Sequence, residues 1–203
     1  MTTIRPAEPT DHATIARLFL ELAVPDPPLD EATFRRAILP STRVAIADDG
    51  ALGAYLHFEL LPQNLGVRHL VTAPLYRRRG LARTLLLDVI GIARERGIAT
   101  WSLNVKPENA AALALYRSLG LAPAYEAEIF RVPWELAAAL SEAFEERLPW
   151  TIAAPDDDAV IERAFGVATG LFASQRSRGR IVIVVGELRS PAAFASFDPH
   201  FPG

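Results

Sequence analysis

Residues 77–82 read Arg77-Arg78-Arg79-Gly80-Leu81-Ala82, and they lie between a short apolar strand, predicted over residues 67–72, and a long amphipathic helix, predicted over residues 80–96. A turn that ends a strand and opens a helix leaves several backbone N–H groups at the helix start without intrahelical partners. These groups and the helix dipole attract a phosphate or pyrophosphate. The arginines add positive charge, so this stretch predicts a site for a phosphorylated cofactor.

The pattern outward from this turn predicts an α/β fold of the α+β kind. Strands are predicted over residues 3–6, 43–47, 52–61, 67–72, 100–105 and 125–132, and helices over residues 12–22, 30–39, 80–96 and 108–119. The strand, helix and strand over residues 67–105 imply one parallel pair in a mostly antiparallel sheet. Helices are expected to flank this sheet.

Composition limits the chemistry that the chain can carry. The 203 residues have a formal net charge of −3, half of them are apolar, and there is no cysteine. A thiol nucleophile and a cysteine zinc site are therefore excluded, and four scattered histidines predict no metal site. The mild negative charge argues against nucleic-acid binding. Without a signal peptide or a membrane-length apolar run, we expect a cytoplasmic protein with no membrane partner.

Two motifs at the correct separation resemble the GCN5-related N-acetyltransferase (GNAT) superfamily over about residues 3–132. Residues 77–82 fit the acyl-CoA signature (Arg/Gln)-x-x-Gly-x-(Gly/Ala) at every defined position. The family's second motif is similar to a set of residues further along this chain, namely Leu103-Asn104-Val105, Asn109, Ala112, Leu115-Tyr116 and Gly120. The resemblance implies a GNAT fold in residues 1–133. It also implies that acetyl-CoA is held by Leu70, Val71, Thr72, Arg77, Arg78, Arg79, Gly80, Leu81, Ala82, Asn109 and Tyr116.

The resemblance also assigns chemical roles. Tyr116 occupies the general-acid position and would protonate the departing CoA thiolate, although a core aromatic on a helix face is the plainer interpretation. Asn109 either contacts the cofactor or caps its helix. The family often places its base on the strand corresponding to residues 66–72, on the face of Leu70, and here that face carries Arg68 and Gly66. His57 and Glu59, which alternate onto one face of the neighbouring strand, are therefore candidate bases. His69 and a water relay are alternatives.

Three residues are candidates for binding the acceptor. Arg68 would bind a substrate carboxylate, and Asp26 and Asp30, in the loop between the first two helices, would attract a cationic amine. The implied function is acetyl-CoA-dependent transfer of an acetyl group to the primary amine of a small molecule, by direct attack in a ternary complex. Two alternatives stay open: an acyl-CoA-binding sensor without catalysis, and a protein N-acetyltransferase acting on a terminus or a lysine.

Residues 134–203 lie outside one GNAT domain. A helix is predicted over residues 134–148, followed by a β-α-α-β-β order that repeats the order of residues 3–60. Thr3-Ile4 through Phe19 resembles Thr151-Ile152 through Phe165, and Arg43-Val44-Ala45-Ile46 resembles Arg180-Ile181-Val182-Ile183. These likenesses suggest a truncated second GNAT half. This segment has no Arg-x-x-Gly-x-Ala turn, so we expect an accessory half-domain that does not bind CoA. Dimerisation through it is a further hypothesis, and whether the chain is a fragment of a longer protein is left open.

Overall fold

The computed structural model describes residues 2–24, 26–28, 30–124, 126 and 148–199. The chain divides into two compact units, Met1–Leu119 and Gly120–Gly203. The predicted domain boundary at residues 133 and 134, the predicted strand over residues 125–132 and the predicted helix over residues 134–148 fall almost wholly outside the described residues. Among the described residues, no helix is long and apolar enough to cross a membrane.

The first unit contains a five-stranded sheet in the order β1-β2-β3-β4-β5. The first three pairs of neighbours are antiparallel, and β4 and β5 are parallel, as the crossover pattern predicts. The mixed sheet confirms the predicted fold class. The strands are β1 (Thr3–Pro6), β2 (Thr42–Ile46), β3 (Leu52–Leu60), β4 (Asn64–Thr72) and β5 (Thr100–Leu103).

Four helices accompany this sheet. They are α1 (His12–Phe19), α2 (Glu31–Thr33), which continues as a π-helical turn over Phe34–Ile38, α3 (Leu81–Glu95) and α4 (Ala110–Arg117). One core cluster joins α1 and the π-helical turn to the sheet through Ile15, Leu18, Phe34, Val44 and Tyr55. Helix α3 buries an apolar stripe that includes Leu85, Leu86 and Val89, each with no exposed surface. The 3.6-residue spacing of that stripe explains why its helix was predictable.

Three of the departures from the prediction concern the first helix, strand β4 and the second helix. The first helix ends at Phe19 and continues as a 3-10 turn over Leu20–Leu22. Strand β4 begins at Asn64, three residues before the predicted start. The second helix is π-helical after Thr33, so its i,i+4 periodicity is broken where the prediction had assumed a regular α-helix.

Among its described residues, the second unit contains a three-stranded antiparallel sheet in the order β6-β7-β8 and two short helices. Its elements are β6 (Trp150–Ile152), α5 (Asp158–Phe165), α6 (Leu171–Ser177), β7 (Ile181–Glu187) and β8 (Ser190–Phe197). This order confirms the predicted β-α-α-β-β extension. Ile161, Phe172, Val182 and Val184 are fully buried and form its core.

A five-residue motif begins the first helix of each unit. Ala7-Glu8-Pro9-Thr10-Asp11 and Ala153-Ala154-Pro155-Asp156-Asp157 share the pattern Ala-x-Pro-x-Asp. In both, the aspartate side chain accepts a hydrogen bond from the second residue's N–H, at 2.7 and 2.9 Å. In both, the alanine N–H donates at 2.9 Å to the second strand, at Thr42 and Val182. These hydrogen bonds align strand β2 with strand β7, so that Thr42 corresponds to Val182. The interpretation of the second unit as a second GNAT half stays a proposal.

Candidate active site

One side of strand β4 is open along half its length. Strand β5 pairs with β4 only from Asn64 to Val67, so the stretch from Arg68 to Thr72 has no neighbouring strand on that side among the described residues. The N–H of Ala73 donates to the Gly53 oxygen of the opposite neighbour at 2.8 Å. Because successive backbone groups alternate in direction along a strand, the N–H groups of Leu70 and Thr72 face the open side.

A β-bulge shapes this open stretch. His57 pairs with His69, but the next residue of β3, Phe58, pairs with Val67, so Arg68 is an extra residue in β4. A bulge bends its strand and re-aims the side chain that it carries. The prediction had assumed strict alternation through residues 66–72, which placed Arg68, Gly66 and Leu70 on one face. A Cβ at Gly66 would lie 3.8 Å from the Arg68 Nε, so Arg68 and Gly66 share the face of Glu59. Leu70 pairs with Leu56 on the opposite face, so the bulge separates Leu70 from the other two.

The turn after β4 has the backbone that an anion site needs. Arg78 and Gly80 both have positive φ, 65° and 84°. The N–H of Thr84 donates to the Gly80 oxygen at 3.0 Å and is the first inside the α3 ladder. The N–H groups of the three preceding helix residues therefore lie outside the ladder and point along the positive end of the helix dipole. Gly80 is required for its φ, since a Cβ there would meet nothing within 4 Å.

The arginines around the turn differ in whether their side chains already have a partner in the structure. Arg77 forms an ion pair with Glu21 at 2.6 Å and donates to the Thr72 oxygen at 3.3 Å. Arg79 lies over the Tyr76 ring, 5.2 Å from its centroid, and Arg83 donates to the Ser118 hydroxyl at 2.8 Å. Arg78 has no such partner among the described residues, so its charge is the most readily offered to an anion.

Helix α4 places the two residues that the second motif predicts. Asn109 caps the helix, and its side-chain oxygen accepts a hydrogen bond from the Ala112 N–H at 3.1 Å. Capping is thus the role that the structure gives Asn109, and a contact with cofactor stays a prediction. Tyr116 is 9% exposed, and burial raises the pKa of its phenol. The phenol therefore keeps its proton at neutral pH, as a proton donor must.

The candidate bases on β3 are already engaged. Glu59 is buried and forms an ion pair with Arg68, whose Nε and Nη2 both donate to the same carboxylate oxygen. The Nδ1 atom of His57 lies 3.0 Å from the Ser41 oxygen and 3.2 Å from the Thr42 hydroxyl. The roles of His57 and Glu59 as bases and of Arg68 as a carboxylate-binding residue stay predictions. Each role would have to coexist with the contacts that these side chains already make.

An apolar cavity of about 30 Å³ lies between α1, the π-helical turn and the sheet. Tyr55 and His69 are among its lining residues. Tyr55 has no exposed surface, and its hydroxyl has no hydrogen-bond partner among the described residues. Burial and the charge of Arg68 lower the pKa of His69. Sequence reasoning missed Tyr55 as a functional candidate, because nothing in the sequence tells an unpaired buried hydroxyl from a core aromatic.

The two acidic candidates lie on the surface of the loop before α2. Asp26 is exposed. Asp30 caps α2 by accepting hydrogen bonds from the N–H and the hydroxyl of Thr33, both at 2.9 Å, and the backbone bond is the leading cause of its lowered pKa. A role for either in attracting an amine stays a prediction. Within the described ranges, no three His, Cys, Asp or Glu side chains group as a metal site would require.

Comparison with known proteins agrees with this geometry. The family model described as the acetyltransferase (GNAT) family matches residues 12–121. The [ribosomal protein bS18]-alanine N-acetyltransferase of Escherichia coli K12 is 36% identical over 75 residues, which are 37% of this chain and 51% of that protein. The chain thus spans about half the length of that relative. The N-alpha-acetyltransferase RimI of Mycobacterium tuberculosis is 34% identical over 121 residues, covering 54% of this chain and 72% of that protein.

A solved structure shows the same fold at low sequence identity. AAC(6')-Iy in complex with the bisubstrate analogue CoA-S-monomethyl-acetylneamine superposes with a TM-score of 0.55 and 18% identity, over 66% of this chain and 99% of that one. At that identity the likeness concerns the fold alone.

Proposed function

The chain belongs to the acetyltransferase (GNAT) family, and on that premise we propose that it transfers the acetyl group of acetyl-CoA to the α-amine of a polypeptide. Enzymes of this family use acetyl-CoA. The observation that carries the proposal is the open side of β4, where the N–H groups of Leu70 and Thr72 face a gap that ends at the helix-opening turn.

The residues at this gap fit an acyl-CoA. A pyrophosphate could be bound by the N–H groups at the start of α3 and by Arg78, which has no partner among the described residues. The gap beside Leu70 and Thr72 suits an extended amide-containing arm, because the exposed edge of a strand offers both donors and acceptors. Arg77 would keep its bond to Glu21 and act on the cofactor site by fixing the end of the turn.

The chain's own groups supply the remaining chemistry. When bound, acetyl-CoA presents its acetyl group as a thioester. The Leu70 N–H would donate to the oxygen that gains negative charge during attack by an amine, which lowers the barrier because the donor is already oriented. As the amine nitrogen bonds to the carbonyl carbon and the carbon–sulfur bond breaks, the Tyr116 phenol would donate its proton to the departing sulfur. The proton that the nitrogen loses would pass to solvent water, from which the phenol would regain its own.

The acceptor is inferred from what the site lacks. Glu59 is neutralised by Arg68, and His57 lies beside a backbone oxygen. Because both of these candidate bases already have partners among the described residues, the enzyme suits an amine that is already partly deprotonated. About one α-amine in seven is free at pH 7, against about one lysine side chain in 2,500, given their ordinary pKa values. The relatives named as alanine and α-amine acetyltransferases support the same acceptor.

Two measurements test this function. The first is calorimetric titration of acetyl-CoA into the wild-type chain, Gly80→Glu and the control Gly97→Glu. Both glycines have positive φ and open surroundings, but Gly97 lies at the opposite end of α3. We expect affinity to fall at least tenfold in Gly80→Glu only, since a carboxylate would then occupy the anion site. Equal affinities in all three would overturn this assignment.

The second measurement is CoA release with matched acceptors. One peptide has a free α-amine and no lysine, the other has a blocked α-amine and one lysine, and a set of small primary amines completes the panel. We expect turnover with the first peptide, rising with pH toward about 8 as the α-amine loses its proton. Turnover only with small amines would indicate that the acceptor is a small molecule and not a polypeptide. Tight acetyl-CoA binding without any turnover would indicate a sensor.

A further inference from the structure

The sheet of the second unit is apolar on both of its faces. On one face, Val182 and Val184 pack with Ile161 of α5 and Phe172 of α6 in the core. The register defines the other face, because residues directly opposite each other on paired strands point to the same side. Across β6, β7 and β8, one row of this face holds Trp150, Val185 and Ala193, and the next holds Ile152, Ile183 and Ala195. A third row pairs Ile181 with Phe197.

These three rows form a surface that we call the uncovered face, because it is exposed and α5 and α6 pack on the other side of the sheet. Trp150, Ile152 and Phe197 are 66%, 60% and 44% exposed. No residue in the three rows is polar or charged. Exposed apolar residues that are scattered singly need no explanation, but a contiguous apolar patch marks an interaction site.

The first unit has a helix on the matching face. With Thr42 aligned to Val182, Arg43 corresponds to Ile183. Helix α3 packs on that face of the first unit, and its Asp88 forms an ion pair with Arg43 at 2.8 Å. Within the described part of the second unit no helix corresponds to α3, and isoleucine stands where arginine would bind a carboxylate. The uncovered face therefore suits a surface that is itself apolar.

The relief of the uncovered face makes it complementary to a second copy of itself. In the first two rows the large side chains, Trp150 and Ile152, lie on β6, and the small ones, Ala193 and Ala195, lie on β8. A two-fold axis that runs along β7, between two facing sheets, places β6 of one copy over β8 of the other. Trp150 then lies over Ala193 of the second copy, and Ile152 over Ala195. Large residues facing small ones let two layers interdigitate, and a two-fold interface requires such self-complementarity.

We propose that two copies of this chain associate through their uncovered faces and form a six-stranded sandwich. Aligned sheets of this kind pack about 10 Å apart, with the inner side chains interdigitated. Strand spacing and rise make each face roughly 14 Å wide and 20 Å long. Two such faces bury on the order of 1,000 Å², which is at the lower end for specific contacts, so the expected Kd is micromolar. The association uses residues of the second unit alone and does not depend on the proposed acetyl transfer.

Sedimentation velocity of the full chain tests this association. From about 1 to 200 µM the wild-type chain should pass from monomer to dimer, as mass action requires. Ile152→Lys should raise the Kd at least tenfold, because association would bury an unpaired ammonium group. Val160→Lys is the matched control, since Val160 is 42% exposed on α5, which packs on the other face. A wild-type chain that stays monomeric, or two lysine variants that behave alike, would overturn the proposal.

A mixing experiment tests the placement of β6 over β8. Trp150→Lys and Ala193→Glu should each raise the Kd at least tenfold, because each places unpaired charges between the faces. In an equimolar mixture the introduced lysine of one chain faces the introduced glutamate of the other, and the second half of the interface keeps Trp150 over Ala193. Association should therefore return on mixing, which misfolded variants could not produce. A mixture as monomeric as the separate variants would overturn the proposed interface.

Discussion

Replacing Tyr55 by phenylalanine should make the unliganded protein more stable. The Tyr55 ring is completely buried, and its hydroxyl has no hydrogen-bond partner among the described residues. Burying a hydroxyl without a partner costs about 1–3 kcal/mol. Phenylalanine keeps the ring contacts and removes this cost, so the free energy of unfolding should rise by about 1 kcal/mol. For a chain of this size, that corresponds to an increase in Tm of about 2–4 °C.

Differential scanning calorimetry of Tyr55→Phe against the wild-type chain measures this change. Tyr76→Phe is the matched control, because the Tyr76 hydroxyl donates to Asp49 at 2.7 Å on the surface. Its loss should change stability only slightly, because water can replace this surface hydrogen bond. If Tyr55→Phe instead lowered the free energy of unfolding by 1 kcal/mol or more, the Tyr55 hydroxyl would have a partner in the folded protein. That result would refute the assignment of the Tyr55 hydroxyl as an unsatisfied buried group.

Four further changes test the packing and the charges. Gly53→Ala should lower the free energy of unfolding by about 1–3 kcal/mol in urea denaturation, because the new Cβ would lie 2.7 Å from a Leu81 methyl; Gly91→Ala, with nothing within 4 Å, should instead raise it by about 0.5–1 kcal/mol. Glu162→Ala should cost about 2 kcal/mol or more in the same assay, since the buried carboxylate accepts two backbone N–H groups at the start of α6. His69→Gln should flatten the loss of stability below pH 6.5, because burial lowers the His69 pKa and the unfolded chain then binds the proton more readily than the folded one; an unchanged pH profile would contradict this.

The elements that were predictable owe their form to local patterns. Helix α3 has an apolar stripe, a glycine with positive φ before it and another after it, and these features depend on residues within the segment itself. The start of β4 depends on distant residues. Asn64, Leu65 and Gly66 do not form a strand-like pattern, but β5 pairs with all three. Pairing between segments 36 residues apart overrides the weak local preference.

The order of strands and helices in the second unit was predicted correctly, but the residue-by-residue alignment of its strands with those of the first unit was not. The sequence comparison equated Arg43 with Arg180, whereas the hydrogen bonds to Thr42 and Val182 equate Arg43 with Ile183. The difference of three residues would turn every side chain to the opposite face of the strand. Runs of alternating β-branched residues fit several registers equally well, and only the partner strand selects one. The order of elements was therefore predictable, and the alignment was not.

The candidate site was predictable where backbone conformation defines it and unpredictable where side-chain partners do. Glycine at position 80 is demanded by a φ of 84°, so its place in the sequence identifies the turn. The N–H groups of Leu70 and Thr72 belong to the backbone, and almost any residue could stand there without changing them. The partner of a charged side chain depends instead on which groups lie beside it in the fold. The bulge brings Arg68 next to Glu59. A sequence that contains both a carboxylate and an arginine cannot tell a base from half of an ion pair. Under the proposed function, a Glu59 carboxylate held by Arg68 would not take a proton from the acceptor amine, so the amine would have to bind in its neutral form.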